Sequence, residues 1–486
     1  MRTKLLPVLA VLALAGCTVG PDYVKPNLAA ANAFHAQPAL DARTASRAPP
    51  LEAWWTGFDD PELVTIVSRV LSENLDLAAS SARVEQARAV VERSRAERLP
   101  QGSLDGSLAR SRQSERSPVG KIASHLPGYE RDQTFEQIGA GASWELDLAG
   151  GLRRGEEAAG AEFAAAEATH AGVRVSLAAE AADAYFRVRG AQARIAIAED
   201  QIRNEQGLVE LVRLRTTHGL GAAREVAQSE ALLLQAQASV PPLKAELAVQ
   251  LNRLDVLMGV APGTYAAEIA GAGRAFSVPT IDAAGGPASL LRRRPDVIAA
   301  ERTLAASNAR IGVALAEYYP SVSLSSLLGF ASLDSGKLLT GSAFQPQAAL
   351  GLHWRLFDFG RVDAEVKQAR GANAEALARY RQSMLRATED VENAIVSLTQ
   401  LEAQHRILVD EVDAHVRARD AAQDAYKGGA VSLIEVLEED RQLFAARDLQ
   451  ARVHTDDARS AVAAFRALGG GWDAPDASDV ASASHF

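Results

Sequence analysis

Apolar and polar residues alternate along four short segments, a pattern typical of strands with one apolar face. From Ile138 to Leu148 every second residue is apolar, and the residues between them are glycine, serine or acidic. Similar rows of apolar residues predict the other strands, which gives expected strands at about 102–111, 136–148, 321–332 and 347–357. Such segments fit transmembrane strands, and they also fit a soluble sandwich whose apolar face is turned inward.

Each pair of strands is followed by a helical pattern that contains no turn signal for some 60 residues. It predicts long helices at about 152–215 and 361–426, each roughly 90–100 Å long at 1.5 Å per residue. In the second helix Met384, Val391 and Leu398 begin a row that continues at every seventh residue. This spacing indicates a coiled-coil seam. His405 falls on the same row, where packing explains it better than metal binding.

Shorter helices return from the far end of each long helix. The expected turns, here called tips, lie at 216–222 and 427–431, and the return helices lie at 223–258 and 432–468. Pro241-Pro242 falls inside the first return helix and should kink or interrupt it, because proline lacks the backbone donor that a helix needs.

The chain contains an internal repeat. WELDLAG from Trp144 matches WRLFDFG from Trp354, and GLGAAREVAQSE from Gly219 matches GAVSLIEVLEED from Gly429. Both matches are displaced by 210 positions, whereas Asp76 matches Asp296 with a displacement of 220, so the first copy has ten extra residues in a loop. The expected organisation follows, in chain order: a first repeat over 63–265, a linker over 266–288, a second repeat over 289–472 and a flexible tail over 473–486.

The chain begins like an exported protein. Two basic residues precede an apolar run from Leu5 to Ala15, which is too short to span a bilayer. Leu14-Ala15-Gly16-Cys17 resembles the bacterial lipobox, so residues 1–16 are expected to be a lipoprotein signal peptide. Cys17, the only cysteine, would then carry an N-acyl chain and an S-diacylglycerol group (palmitate among the acyl chains), followed by an extended lipidated segment over 17–62. The alternative is a chance cysteine in an ordinary signal peptide.

Composition removes several classes of protein. The net charge is −10, which argues against a nucleic-acid partner. Without a second cysteine there is no disulfide or cysteine-based metal site, and no later segment offers 18 consecutive apolar residues. A membrane-spanning form would therefore be a β-barrel, and because four strands cannot close one, several chains would have to share it.

Taken in order, these features resemble the TolC-type outer membrane factors, and in particular the OprM/NodT-like efflux lipoproteins. Further matching stretches are, in chain order, GPDYVKP, DPEL, ENLDLAA, RRPDVIAAE and GGGW. The resemblance implies a mainly helical protein with a membrane β-barrel part. In it, three protomers share a twelve-stranded barrel in the outer membrane and a twelve-helix barrel in the periplasm. It also implies an exit duct that passively conducts substrates from an inner-membrane pump, of RND type, through a periplasmic adaptor protein.

The resemblance also implies where the channel is controlled. Glu435 and Glu438 match an acidic pair that constricts the pore, although Ser432-x-x-Glu435 is equally a helix capping box. Glu225 and Tyr426 match the partners of a polar latch between the tips. Val431 stands where the family has an arginine of that latch, and Arg224 or Lys427 could take the place of the missing arginine.

The tips themselves are expected to contact the adaptor. The residues concerned are Gly219, Leu220, Gly221, Gly428 and Gly429, and turning two antiparallel helices is a sufficient role for the glycines alone.

Other classes remain as alternatives. The chain lacks a nucleophile elbow and a His-Glu-x-x-His motif, and Gly329 to Lys337 has the wrong spacing for a phosphate loop, so no enzyme and no cofactor is expected. Two alternatives stay open. One is a lipid-anchored coiled coil that spaces the envelope without conducting, and the other is the exit duct of a type I protein secretion system. The sequence does not identify the cargo.

Overall fold

The computed structural model describes residues 18–27, 33–41, 43, 48–269, 271, 276–281, 286–287 and 293–473. Cys17, the signal segment 1–16 and nearly all of the tail 473–486 lie outside the described residues. The chain divides into two compact units. Unit 1 comprises residues 1–26, 84–166 and 300–380, and unit 2 comprises residues 27–83, 167–299 and 381–486.

The helices and strands follow the expected order. The helices are α1 (Gln37–Asp41), α2 (Pro61–Glu73), α3 (Leu75–Glu97), α4 (Pro118–Ala123), α5 (Gly151–Thr217), α6 (Ala223–Leu257), α7 (Ala266–Ile269), α8 (Pro295–Ala316), α9 (Arg361–Lys427) and α10 (Leu433–Ala467). The strands are β1 (Gln101–Arg112), β2 (Asp132–Leu146), β3 (Ser321–Ser332) and β4 (Phe344–His353). The duplicated order of helix, two strands, long helix, tip and helix is confirmed.

The two copies have the same dimensions. The long helices α5 and α9 each contain 67 residues, and the return helices α6 and α10 each contain 35. Two matched tryptophans also make the same contact. The indole of Trp144 donates to the carbonyl of Arg98 at 2.9 Å, and that of Trp354 donates to the carbonyl of Tyr318 at 3.0 Å. Each indole thus satisfies a carbonyl just beyond the helix that precedes its pair of strands.

Unit 1 contains one antiparallel sheet in the order β1-β2-β3-β4. Its register places apolar residues opposite one another, since Leu104 faces Ala140 and Ala140 faces Leu328. Leu324 likewise lies opposite Leu350. Residues paired in this way share one face of a sheet. The side chains of that face are exposed, with Leu104 at 75% and Leu350 at 73%. The sandwich alternative, in which this face is turned inward, is therefore not what the described residues form.

Unit 2 is built on aromatic packing. Trp54 is fully buried and stacks on Phe465 of α10 with ring centroids 5.4 Å apart. Phe58 packs on Phe186 of α5 at 4.9 Å. Beside them, Asp60 caps α2 by accepting from the backbone of Glu62 at 3.0 Å and also accepts from the Tyr185 hydroxyl.

Two local expectations need correction. The segment 17–62, expected to be extended, contains α1 and a 3₁₀ helix over Leu51–Phe58, because Trp54 and Phe58 are drawn into the core of unit 2. The first return helix is not interrupted at Pro241-Pro242: α6 is continuous there. Val240 and Leu243, on either side of the prolines, are buried with Ala198 of α5, and this packing compensates for the lost backbone hydrogen bonds.

Within the described part of the chain, no helix is both long enough and apolar enough to cross a bilayer.

We expect Trp54→Ala to lower the free energy of unfolding by about 3–5 kcal/mol, since it empties a fully buried aromatic site. Denaturant titration of the purified protein, followed by circular dichroism, measures this. Trp54→Phe is the matched control and should cost much less, because it keeps the stack on Phe465 and removes an indole N–H that has no partner among the described residues. Equal losses in the two variants would contradict the stacking argument.

Candidate functional site

The two tips have the same backbone turn. At the end of α5, Gly219 has a φ of 70° and the N–H of Leu220 donates to the carbonyl of Arg215 at 2.8 Å. At the end of α9, Gly429 has a φ of 73° and the N–H of Ala430 donates to Ala425 at 2.9 Å. A positive φ is strained for other residues, so glycine is required at these two positions. The turns reverse the chain into α6 and α10.

The predicted acidic pair lies on the first turns of α10. Glu435 accepts from the backbone N–H of Ser432 at 3.3 Å and from its hydroxyl at 3.4 Å, so it caps its own helix. Glu438 accepts from Arg441 at 2.6 Å and 3.1 Å and from Gln442 at 2.8 Å. Both acids are exposed, and each is bound to its own neighbours.

Within one chain, neighbours on α10 set the electrostatics of Glu438. Hydrogen bonds from Arg441, then from Gln442, hold the pKa of Glu438 below its usual range. Within one chain Glu438 is therefore a carboxylate at neutral pH, with a guanidinium beside it. Arg441 was not among the residues predicted from the sequence. Arg441 nevertheless follows Glu438 by three residues, which is a common spacing for an ion pair on a helix.

The predicted latch residues lie in the same region but are not hydrogen-bonded to each other. Tyr426 is buried against Val212, and its hydroxyl has no partner among the described residues. Glu225 accepts instead from the backbone N–H of Ala222 at 3.4 Å. Burial, and to a lesser degree Glu225, raises the pKa of Tyr426, so the phenol is neutral throughout the physiological range.

The cation at this site is Arg215, which sequence reasoning missed. Its guanidinium lies 4.3 Å from the centre of the Tyr426 ring and donates to the Tyr426 carbonyl at 3.3 Å. Lys427, one of the expected substitutes, is paired with Asp424 at 3.0 Å. Arg215 thus joins the last turn of α5 to the last turn of α9. Its place in the last turn of a long helix, where a cation is favoured, was the only signal in the sequence.

Behind the tips lies a buried group of charges. Glu205 of α5 and Asp440 of α10 are 2% and 4% exposed. Asp440 lies 3.7 Å from a guanidinium nitrogen of Arg419, and Glu205 accepts from Gln201 at 2.6 Å. Burial, and then the charge of Asp440, raise the pKa of Glu205 to about 7. Burial also raises the pKa of Asp440, with Arg419 acting in the opposite direction.

No group of three or more histidine, cysteine or acidic side chains suited to a metal ion occurs among the residues that the structure describes. The tip region offers exposed acids, an arginine–tyrosine contact and the ends of two helical hairpins. Together with the exposed apolar sheet face, they define a membrane-channel type of protein with long helical hairpins.

The chain belongs to the outer membrane efflux protein family, which matches residues 66–260 and 286–470. The cation efflux system protein CusC of Escherichia coli O6:H1 is 30% identical over 473 residues, 96% of this chain and 99% of that protein. The pyoverdine export outer membrane protein OpmQ of Pseudomonas putida is 32% identical over 435 residues, 89% of this chain and 91% of OpmQ. The solved outer-membrane channel OprN has a TM-score of 0.84 at 33% identity, covering 94% of this chain and all of OprN.

Glu205→Gln should stabilise the protein at pH 8 and have little effect at pH 5. The folded chain keeps a proton on Glu205 that the unfolded chain releases, so this group's contribution to stability falls as the pH rises from about 4.5 to about 7. Glutamine does not ionise, and the expected gain at pH 8 is on the order of 3 kcal/mol.

Denaturant unfolding at both pH values measures this difference. Glu199→Gln, at an exposed position on the same helix, is the control and should show no such pH dependence. A Glu205→Gln effect of equal size at both pH values would contradict the assignment.

Proposed function

We propose that this protein is the outer-membrane exit duct of a tripartite efflux system. It would passively conduct substrates that an inner-membrane pump and a periplasmic adaptor deliver. The observation that carries the proposal is the exposed apolar face of the four-stranded sheet, in a chain of the outer membrane efflux protein family. A non-conducting coiled-coil spacer has no use for such a face. The names of the relatives refer to cation efflux and to pyoverdine export, so they do not assign one cargo to this chain. The second candidate is a type I secretion duct.

Three chains would complete the barrel. The sheet ends at β1 and β4, whose outer edges have no strand beside them among the described residues. Unpaired backbone groups are costly in lipid, so these edges need neighbours. Three copies supply twelve strands, enough for a water-filled lumen, with the long helices continuing as a periplasmic tunnel.

Lipidation at Cys17 would tie each chain to the membrane near the end of its sheet. The next residues are held there by unit 1. The N–H of Val19 donates to the carbonyl of Ala149, just after β2, at 3.0 Å. The buried Arg154 donates to the carbonyl of Val19 at 3.2 Å and pairs with Asp22 at 2.7 Å. Acyl chains on Cys17 would thus enter the leaflet beside the periplasmic end of the strands.

The tips are the proposed docking surface for the adaptor, and through it the system couples to a pump of RND type. Gly219, Leu220, Gly221, Gly428 and Gly429 form the ends of the two hairpins. Leu220 is an apolar side chain that is 70% exposed there among the described residues. We assign no enzymatic step and no cofactor to the protein; members of its family are channels.

Glu435 and Glu438 are the proposed constriction. Three chains would bring six carboxylates together, a ring that attracts cations. Arg441 offsets part of that charge through its bond to Glu438. The selectivity of the ring would therefore depend on Arg441 as well as on the two acids.

The first test is conduction. The purified protein in a planar bilayer should give single-channel currents that favour cations, and Glu435→Gln with Glu438→Gln should bring cation and anion permeabilities closer together. Arg441→Gln should have the opposite effect. Glu85→Gln, an exposed ion-paired acid on α3, is the control. Absence of conductance would contradict the proposed exit duct. Conductance whose ion selectivity is unchanged in the double variant would contradict only the proposed acidic ring.

The second test concerns the latch, which we propose to run through Arg215 and Tyr426, with Glu225 contributing only its charge. Arg215→Gln should raise the fraction of time the channel is open, because it removes the contact between α5 and α9. Tyr426→Phe should leave gating unchanged, since the lost hydroxyl has no partner in the described chain. Arg213→Gln, whose arginine pairs with Glu230, is the control. Opening of the channel by Tyr426→Phe would instead support a hydroxyl latch to Glu225.

A further inference from the structure

A cavity of about 380 Å³ lies in unit 2, beside the long helices α5 and α9 and the return helix α10. Its walls come from α5, α9, α10 and the segment between α7 and α8. The residues that line it are Arg189, Ala193, Ile197, Phe276, His405, Val412, Arg447, Gln450, Ala451, His454 and Thr455. This size is within the range of small-molecule sites.

The lining is basic and contains no acid. The guanidinium of Arg189 already has protein partners, because it is ion-paired with Glu62 and donates to the carbonyl of Gly271 at 3.0 Å. Arg447 is half-buried and has no carboxylate within ion-pair distance among the described residues. A guanidinium placed in this way leaves its donors directed at solvent or at a ligand.

The second unused group is His454. Its ring is stacked between Phe276, at 4.5 Å and 4°, and His405, at 4.8 Å and 24°. Its Nδ1 is buried and has no hydrogen-bond partner in the described part of the chain. Burial lowers the pKa of His454, as it does that of His405, so the imidazole is neutral at pH 7. A neutral imidazole can carry its one proton on Nδ1 and donate it.

Two of the polar residues that line the cavity have apolar counterparts in the first copy, whereas His454 corresponds to Lys244. Their counterparts in the first copy lie 210 positions earlier. Ile195 corresponds to His405, and Val240 to Gln450. Both counterparts belong to an apolar cluster with Ala198. Arg447 corresponds to Gln237. The positions of His405 and Gln450 are thus occupied by apolar packing in the first copy and line a basic cavity in the second.

We propose that this cavity binds a small organic carboxylate. Arg447 would hold the carboxylate, because guanidinium and carboxylate form two parallel hydrogen bonds. His454 would donate a further bond from Nδ1, and Phe276, Ile197 and Val412 would contact the apolar part of the ligand. Such a ligand would connect α9 to α10. The proposal does not depend on whether the protein conducts.

The test uses isothermal titration calorimetry on the full-length protein in detergent, with benzoate as the probe. Benzoate should bind saturably in the millimolar range or tighter. Acetate, which lacks the ring, and benzamide, which lacks the charge, should each bind at least about ten-fold more weakly. Failure of benzoate to saturate would overturn the proposal, including the case in which another part of the assembled protein already fills the cavity.

Variants identify the groups that bind. Arg447→Gln should weaken benzoate about ten-fold or more, the usual effect of losing a charged hydrogen bond, and Arg447→Lys should keep part of the affinity. His454→Phe keeps the aromatic stack and should weaken binding several-fold. Arg452→Gln, on the same helix but paired with Asp448 outside the cavity, should have no effect. Circular dichroism and gel filtration confirm that each variant is folded. Unchanged benzoate affinity in Arg447→Gln would overturn the assignment.

Discussion

The sheet of unit 1 has one apolar face that the described residues leave exposed, and the rest of the structure depends on this constraint. Leu104, Leu328 and Leu350 share that face through the register of the strands. Burying such side chains is worth roughly 25 cal/mol per Å² of apolar surface, so a bilayer or another chain has to cover them. The outer edges of β1 and β4 have no strand beside them among the described residues, so their backbone N–H and C=O groups also need partners. The barrel that we propose three chains to form would meet both requirements.

The helices meet a different requirement, because the long helices and the return helices have to pack against one another along their length. They do so mainly with small side chains: alanines dominate the buried positions of α5, and the core of unit 2 adds large side chains such as Trp54, Phe186 and Phe465. Buried charges occur where the helices approach the tips. Arg419 offsets part of the charge of Asp440, and burial raises the pKa of Glu205 to about 7, so that Glu205 is partly protonated at neutral pH. Stability near the tips is therefore sensitive to pH.

Duplication produced two similar hairpins that now differ in their polar residues. The backbone turns at Gly219 and Gly429 agree closely, and the helices have equal lengths. The second hairpin nevertheless carries the acids of the proposed constriction, the buried Tyr426 and the basic cavity around Arg447. The polar residues of the second hairpin thus differ from those of the first while the backbone of both is alike. This division suits a gated duct.

Much of the architecture followed from the sequence alone. The alternation around Trp144 and the seven-residue rows predicted the strands and the long helices, because each pattern depends on neighbours a few residues apart. The matched tryptophans predicted the repeat, because the two copies can be compared directly in the sequence. The acids at Glu435 and Glu438 could be named only through a family resemblance. Tertiary structure decided the rest: the burial of Trp54, the continuity of α6 through Pro241, the position of Arg215 over Tyr426 and the cavity beside His454. Each of these depends on contacts between residues far apart in the chain, which periodicity does not record.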